Sequence, residues 1–290
     1  MISIERAFRE LNLNVDKYTP IGNHELKRHL VYEFYIENIP YIIKVYYKSN
    51  RVLREVEGLK IAQKLEIPCP NIIEYGNLNS GFEYIIMSKC QGEIMYKKML
   101  STEEKMPLYE KIGEYLGKIN SYHMNNMDNF KLKFINSMKK HIEEIRKMNL
   151  KSIDLRVLER SYDYFMKNIE VMDFSNIPIG YCHNDFDERN IMIHEESISA
   201  IIDFEIFGKG NVELDLMSLY WKVLHKNKEL EESFLRGYEK YITLSDEFHK
   251  RKQLYYVEEA VGNCTWSYEQ ANDYFNDNIE FLRLCLKRRI

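Results

Sequence analysis

Apolar residues recur along the chain with two periods, about 3.6 and 2 residues, and the switches between them mark out its elements. Ile4, Phe8 and Leu11 share one helical face, which predicts a short amphipathic helix at the start. Residues 29–36 (HLVYEFYI) and 40–47 (PYIIKVYY) read as strands, with Glu37 and Asn38 turning between them. Helical spacing returns over 52–65 at Val52, Val56, Leu59, Ala62 and Leu65, until Pro68 and Pro70 stop it. Residues 72–76 and 82–87 read as the last two strands of a five-stranded antiparallel sheet. Beyond them the pattern is mainly helical, over 103–123, 136–148, 155–169, from 212 onward and across 254–282. Gly113 and Gly117, four apart on the first of these helices, allow a second helix to approach closely. One short strand pair interrupts the helices: NIMI at 190–193, a turn at 194–197, and SAIID at 199–203.

Composition narrows the class. The chain has 290 residues, 45% of them hydrophobic and 30% charged, which suits a globular protein with a large core in one two-lobed domain or two small ones. A formal net charge of −4 gives no field that would draw it to nucleic acid or to an anionic membrane. The five cysteines (Cys69, Cys90, Cys182, Cys264 and Cys285) are scattered, with no C-x-x-C pair, which favours reduced thiols over disulfides or a zinc site. The acidic start lacks a signal-peptide pattern, and no uncharged apolar run is long enough for a membrane span. A cytoplasmic location is therefore expected, and a monomer.

The chemistry concentrates in 181–205, YCHNDFDERNIMIHEESISAIIDFE. The strand pair would bring Asn190, at the start of one strand, close to Asp203 at the end of the other, with Asp185 on the loop leading in. Two carboxylates and a carboxamide gathered there suit magnesium, which prefers hard oxygen ligands, and one carboxylate remains to act as a base toward a hydroxyl. The plain alternative is an acidic hairpin whose Asp and Asn residues only form turns. Lys44 is a second candidate, because a lysine inside an apolar strand either reaches for solvent or has a partner.

His183, Asp185 and Asn190 form H-x-D-x-x-x-x-N, and Ile202-Asp203-Phe204-Glu205 is a second acidic turn. Together they resemble the catalytic loop and metal site of the protein kinase-like fold, and within it the aminoglycoside phosphotransferase and choline kinase group. The resemblance implies an α+β, bilobal fold: a small lobe with a five-stranded antiparallel sheet and a larger, mainly helical lobe. It implies boundaries of 1–88 for a nucleotide-binding lobe, 89–92 for a hinge, and 93–290 for a catalytic and substrate-binding lobe. Asp185 would orient and deprotonate the acceptor hydroxyl, and Asn190 and Asp203 would hold Mg2+. Lys44 would grip the phosphates of ATP or GTP, braced by Glu55, with Glu57 in reserve. Gly22, in the stretch 20–24 (PIGNH), would belong to the loop over the phosphates, and Ser88 and Cys90 would present backbone groups to the base. His183 and Asp215 would support the site. Three departures are visible: Ile119-Asn120 where the family has Leu-His, Asn211-Val212 where it has Asp-Pro, and Asp-Phe-Glu in place of Asp-Phe-Gly.

Only eleven residues separate Asp203 from Asp215, too few for the activation segment on which a protein kinase seats a peptide. The acceptor is therefore expected to be a small molecule. Its charge is suggested by 254–282, which carries Glu258, Glu259, Glu269 and three further acids, no Lys or Arg, and interleaved aromatics including Trp266. Such a wall suits a cationic amine through charge pairing and cation–π contact. Asp187 and Glu188 in the catalytic loop would extend it. The first reading is a kinase of the aminoglycoside antibiotic type, acting on a small cationic, hydroxyl-bearing substrate. A metabolic kinase of choline, ethanolamine or an amino sugar is the same-fold alternative. A non-catalytic, nucleotide-binding kinase-like protein is the rival from another class, and the filled Lys, Asp, Asn and Asp positions argue against it.

Overall fold

The computed structural model describes residues 2–22, 24, 29–127 and 130–287. Helix α1 (Ile4–Glu10) is capped by Ser3, whose hydroxyl accepts from Arg6 N at 3.3 Å. Then come β1 (Lys17–Pro20), β2 (His29–Ile36), β3 (Ile39–Tyr46), α2 (Val52–Lys64), β4 (Ile72–Asn77) and β5 (Glu83–Ser88). The strands form an antiparallel sheet in the order β1-β2-β3-β5-β4. Glu37 and Asn38 both have positive φ (51° and 64°), the geometry of the two-residue turn that matches strand twist. Period-two alternation gives the sheet two apolar faces. Phe34, Ile43, Val45 and Ile86 pack under α1, while Tyr46, Ile85 and Met87 join α2 in a second cluster.

That second cluster continues into the larger lobe without a break. The lobe comprises β6 (Glu93–Ile94), α3 (Thr102–Ser121), β7 (Asn125–Met127), α4 (Phe130–Ile145), α5 (Ser152–Ile169) and β8 (Ile177–Cys182). After these come β9 (Ile191–His194), β10 (Ser197–Ile201), β11 (Gly208–Asn211), α6 (Val212–Asp215), α7 (Met217–Lys222), α8 (Lys228–Tyr238), α9 (Asp246–Gln270) and α10 (Asn272–Lys287). A capping box of Ser101 and Glu104 starts α3. The sequence pattern assigns no separate element to 228–238, yet α8 packs closely along α3. A Cβ on Gly113 would lie 2.0 Å from Phe234 O, and one on Gly237 would lie 1.8 Å from Glu110 O. Both helices thus need glycine where their backbones meet.

The expected hairpin forms, with β9 and β10 antiparallel and Glu195 turning at φ 54°. It is tied to both lobes. Ile201 N donates to Pro68 O at 2.8 Å, Ser199 Oγ to Gln91 O at 2.6 Å, and β6 pairs with β9. Gly92 (φ 96°) sits so close that a Cβ there would lie 2.2 Å from Ile193 O. The fold is α+β and kinase-like, with the hairpin at the junction of its lobes.

Candidate active site

Strand alternation decides where Lys44 points. Its neighbours Ile43 and Val45 face α1, so Lys44 faces α2 from the middle strand of the sheet, buried rather than on an edge. Its Nζ lies 3.0 Å from Glu55 Oε2, 2.6 Å from Asp203 Oδ1 and 3.0 Å from Glu205 Oε2. Burial alone would lower the lysine's pKa, but Asp203, Glu55 and Glu205 hold it well above its ordinary value. Glu55 also accepts the Tyr46 hydroxyl at 2.5 Å. Glu57 instead accepts the Tyr181 hydroxyl at 2.9 Å, so Glu55 is the residue at the lysine.

Glu205 shows in the sequence only as a departure from Asp-Phe-Gly. Burial would raise its pKa, yet His29, 3.2 Å away, and Lys44 hold it well below the usual carboxylate range. Carboxylate oxygens of Glu55, Asp203 and Glu205 all lie within 4.8 Å of one another.

The hairpin brings the remaining groups to the same place. Ile202 N donates to Asn190 O at 3.0 Å, which seats Asn190 beside the end of β10 where Asp203 turns out at φ 67°. The Asn190 amide nitrogen donates to Asp185 O at 2.8 Å and to Asp185 Oδ2 at 3.2 Å, leaving the amide oxygen for a cation. Asp203 supplies a carboxylate close by, so this donor set of hard oxygens fits magnesium. Asp185 itself is 39% exposed at its side chain, open to an incoming hydroxyl.

Beneath the loop the chain is fully braced. His183 Nε2 donates to Ile202 O at 3.0 Å, so its Nδ1 is the acceptor that faces Asp185 N at 3.4 Å. Asp215 accepts from His183 N (2.9 Å), Asn184 N (2.6 Å) and Asn120 Nδ2 (2.9 Å). The Asn at the family's Leu-His position is therefore part of the brace, and its Oδ1 also accepts the Tyr238 hydroxyl at 3.0 Å. Asn211, where the family has Asp-Pro, caps α6 by accepting from Glu213 N at 2.9 Å.

Several expectations meet a different arrangement. Asp187 does not extend an open acidic wall. It is buried, held by Arg189 (Nη2 to Oδ2, 2.6 Å), by a short contact to Lys222 and by Ser218 at 3.3 Å. Burial would raise its pKa, but Arg189 and Lys222 hold it far below the usual value. Glu188 is likewise buried, accepting from Lys105 at 2.8 Å and the Tyr109 hydroxyl at 2.7 Å. Glu258 turns to α4, where it accepts from Ser137 at 2.6 Å beside His141. Glu269 is exposed near the end of α9. Ser88 N donates to Asn71 O at 2.9 Å, so that N–H is not available to a nucleotide base. Cys90 is half-buried, its thiol pushed up by burial. Gly22 turns at φ 77° with open space around it, while its expected companion Asn23 lies outside the described residues.

Glu259 and Trp266 both lie on α9. Trp266 packs on Tyr274 at 5.3 Å between centroids, Tyr274 packs on Trp221 at 5.8 Å, and Glu259 lines a small cleft with Trp221, Tyr256, Asn263 and Asn278. Burial pushes the Glu259 carboxyl up to about 7. Arg189, also unforeseen, reaches Asp185 Oδ1 at 3.3 Å.

A buried lysine, a braced aspartate and an oxygen-rich hairpin end thus lie together where the lobes meet. The model of the phosphotransferase enzyme family matches residues 26–253. The chain belongs to that family. No curated protein sequence matches it. Solved structures of similar fold include an apo, thermostable mutant of aminoglycoside phosphotransferase APH(4)-Ia, at TM-score 0.73 and 12% identity over 98% of each chain. A ternary complex of a thermostable mutant of the same enzyme with ADP and hygromycin B matches at TM-score 0.69 and 12% identity, over 98% of this chain and 96% of the other. ADP-bound aminoglycoside phosphotransferase APH(2'')-Ib matches at 0.66 and 18% identity over 98% of each. As a member of the family the protein is a phosphotransferase enzyme, and among its described residues no helix is long and apolar enough to cross a membrane.

Proposed function

We propose that the protein transfers the γ-phosphoryl group of ATP or GTP to a hydroxyl of a small, amine-bearing acceptor of the aminoglycoside type. The observation that carries this reading is the meeting of Lys44, Asp203 and Asn190 with an accessible Asp185 at the end of one hairpin. Residues 1–88 form the nucleotide lobe in this reading, 89–92 the hinge and 93–290 the acceptor lobe. Lys44 orients the phosphates, and Glu55 holds Lys44. Asn190 and Asp203 hold the magnesium ion, whose charge offsets that building on the phosphates. Asp185, fixed by Asn190 and flanked by Arg189, orients the acceptor hydroxyl and takes its proton. Positioning and charge neutralisation then supply most of the acceleration. The continuous path from β10 through β11 to α6 favours a small molecule over a peptide, because it adds no platform between Asp203 and Asp215.

The test is nucleotide turnover by purified protein with aminoglycosides, choline, ethanolamine and amino sugars as acceptors. Acceptor-dependent product is expected, with Asp185→Asn losing transfer by about 10²-fold or more while keeping nucleotide affinity. No turnover with any acceptor, together with magnesium-nucleotide binding unaffected in Asp203→Ala, would remove the reading. A kinase of choline, ethanolamine or an amino sugar is the second reading, and the same panel of acceptors separates the two.

A further inference from the structure

The catalytic loop holds one cation more than its two buried carboxylates require. Asp187 already has Lys222 and Ser218 from α7, and Glu188 has Lys105 from α3. Arg189 binds Asp187 as well, through Nε at 3.0 and 3.1 Å and through Nη2 at 2.6 Å. That fork anchors the guanidinium and aims its outer edge. Nη2 also reaches Asp185 Oδ1 at 3.3 Å, while Nη1 has no acceptor among the described residues, on a side chain 48% exposed. Asp185 is thus held from two sides, by Asn190 Nδ2 at Oδ2 (3.2 Å) and by Arg189 at Oδ1. Across the loop, the carboxylates of Asp185, Asp187 and Glu188 balance the cations of Lys105, Arg189 and Lys222. The balance lasts only while Asp185 is ionised.

We propose that Arg189 is a further positioning residue for phosphoryl transfer, whose charge Asp185 masks in the resting site and unmasks as it takes the acceptor's proton. The inference rests on the phosphoryl-transfer reading. In that step the acceptor O–H bond breaks and its proton passes to an Asp185 carboxylate oxygen. The acceptor oxygen's electron pair forms the new P–O bond. The bond from the γ-phosphorus to its bridging oxygen breaks, and that pair leaves with the nucleoside diphosphate. Asp185 ends neutral, so the loop then carries three cations against two carboxylates. One unit of positive charge appears beside the phosphoryl group while its equatorial oxygens share the negative charge in transit. An attraction that strengthens between ground state and transition state speeds the step without tightening substrate binding. A guanidinium suits the task because it cannot pass a proton to Asp185, and its fork stays on Asp187 when the bond to Asp185 loosens.

The test compares the parent with Arg189→Ala, Arg189→Gln and Arg189→Lys. Turnover of magnesium-ATP would be measured with aminoglycosides, choline, ethanolamine and amino sugars, and with water as the acceptor. Calorimetry would give the affinity for ADP and for a non-hydrolysable ATP analogue. In Arg189→Ala and Arg189→Gln, kcat should fall about 10²-fold with every acceptor the parent uses. KM values should stay within about threefold of the parent's, and nucleotide affinity should not change. Arg189→Lys, which keeps the charge without the fork, should recover at least about tenfold of the loss. Free guanidinium ion at millimolar concentration should rescue Arg189→Ala saturably, since the side chain it replaces is half exposed, and should leave the parent unaffected. Arg189→Gln can still donate to Asp187, so it carries the test if Arg189→Ala does not fold. A kcat equal to the parent's in Arg189→Gln would overturn the inference and leave the transfer reading standing. So would a loss confined to acceptor KM, which makes Arg189 a binding group. A loss that neither lysine nor guanidinium relieves would reduce Arg189 to a structural partner of Asp187. A parent that turns over nucleotide with no acceptor, water included, would remove the transfer reading and this inference with it.

Discussion

At the scale of single residues, a charge is visible in the sequence but its partner is not. Asp187 reads as a cleft acid because Lys222 stands 35 residues further on, and only the fold reveals the contact. Its folded pKa lies below the unfolded value of about 3.9. The unfolded chain therefore binds the proton more readily as pH falls. The stability Asp187 contributes is full above about pH 4 and is lost as pH drops through the folded pKa. Asp187→Asn leaves Arg189 and Lys222 without their carboxylate and should cost about 3 kcal/mol at pH 7. Denaturant melts should show the gap between the two proteins narrowing from pH 5 to pH 3; a constant gap would mean the ion cluster is not its source. Lys44, His183, Asp185, Asn190, Asp203 and Asp215 were legible because fixed spacings along short segments position them. Glu205, Asn120 and Arg189 were not, because what gives each its place is a neighbour from another element.

At the scale of elements, periodicity found the helices and strands whose apolar faces are long, and the hairpin was legible from its turn. Helix α8 was missed although Leu230, Phe234 and Tyr238 repeat at helical spacing, because glutamates and a glycine interrupt so short a run. Its glycine is what the packing requires. Gly113 and Gly117 suggested a close helix neighbour without saying which, and Gly237 completes the contact from the other side. Gly237→Ala should force α3 and α8 apart and cost about 1–3 kcal/mol, seen as a fall in Tm of roughly 2–4 °C per kcal/mol. Gly208→Ala, where a Cβ would meet nothing within 4 Å, is the matched control and should melt with the parent. Equal melting of all three proteins would show that the helices are not held at the distance the glycines set.

For the whole molecule, one hydrophobic cluster runs from α2 and β5 through the hairpin to α10, and the ions at its surface link the lobes a second time through Lys44 and Asp203. The lobes therefore should not unfold separately, and calorimetry should record a single cooperative transition. A ligand held between Lys44 and Asp203 stabilises only the state in which both lobes are folded. At one hundred times its dissociation constant it should add about 2.7 kcal/mol, raising Tm by several degrees. Nucleotide with magnesium should raise it more than nucleotide with a chelator, because the hairpin oxygens then take part. In Asp203→Ala the magnesium-dependent increment should vanish while Lys44, still paired with Glu55 and Glu205, keeps the nucleotide-only shift. An unchanged increment would move the metal off Asp203. A nucleotide shift confined to a first, partial transition would show that the lobes unfold independently, despite the shared core.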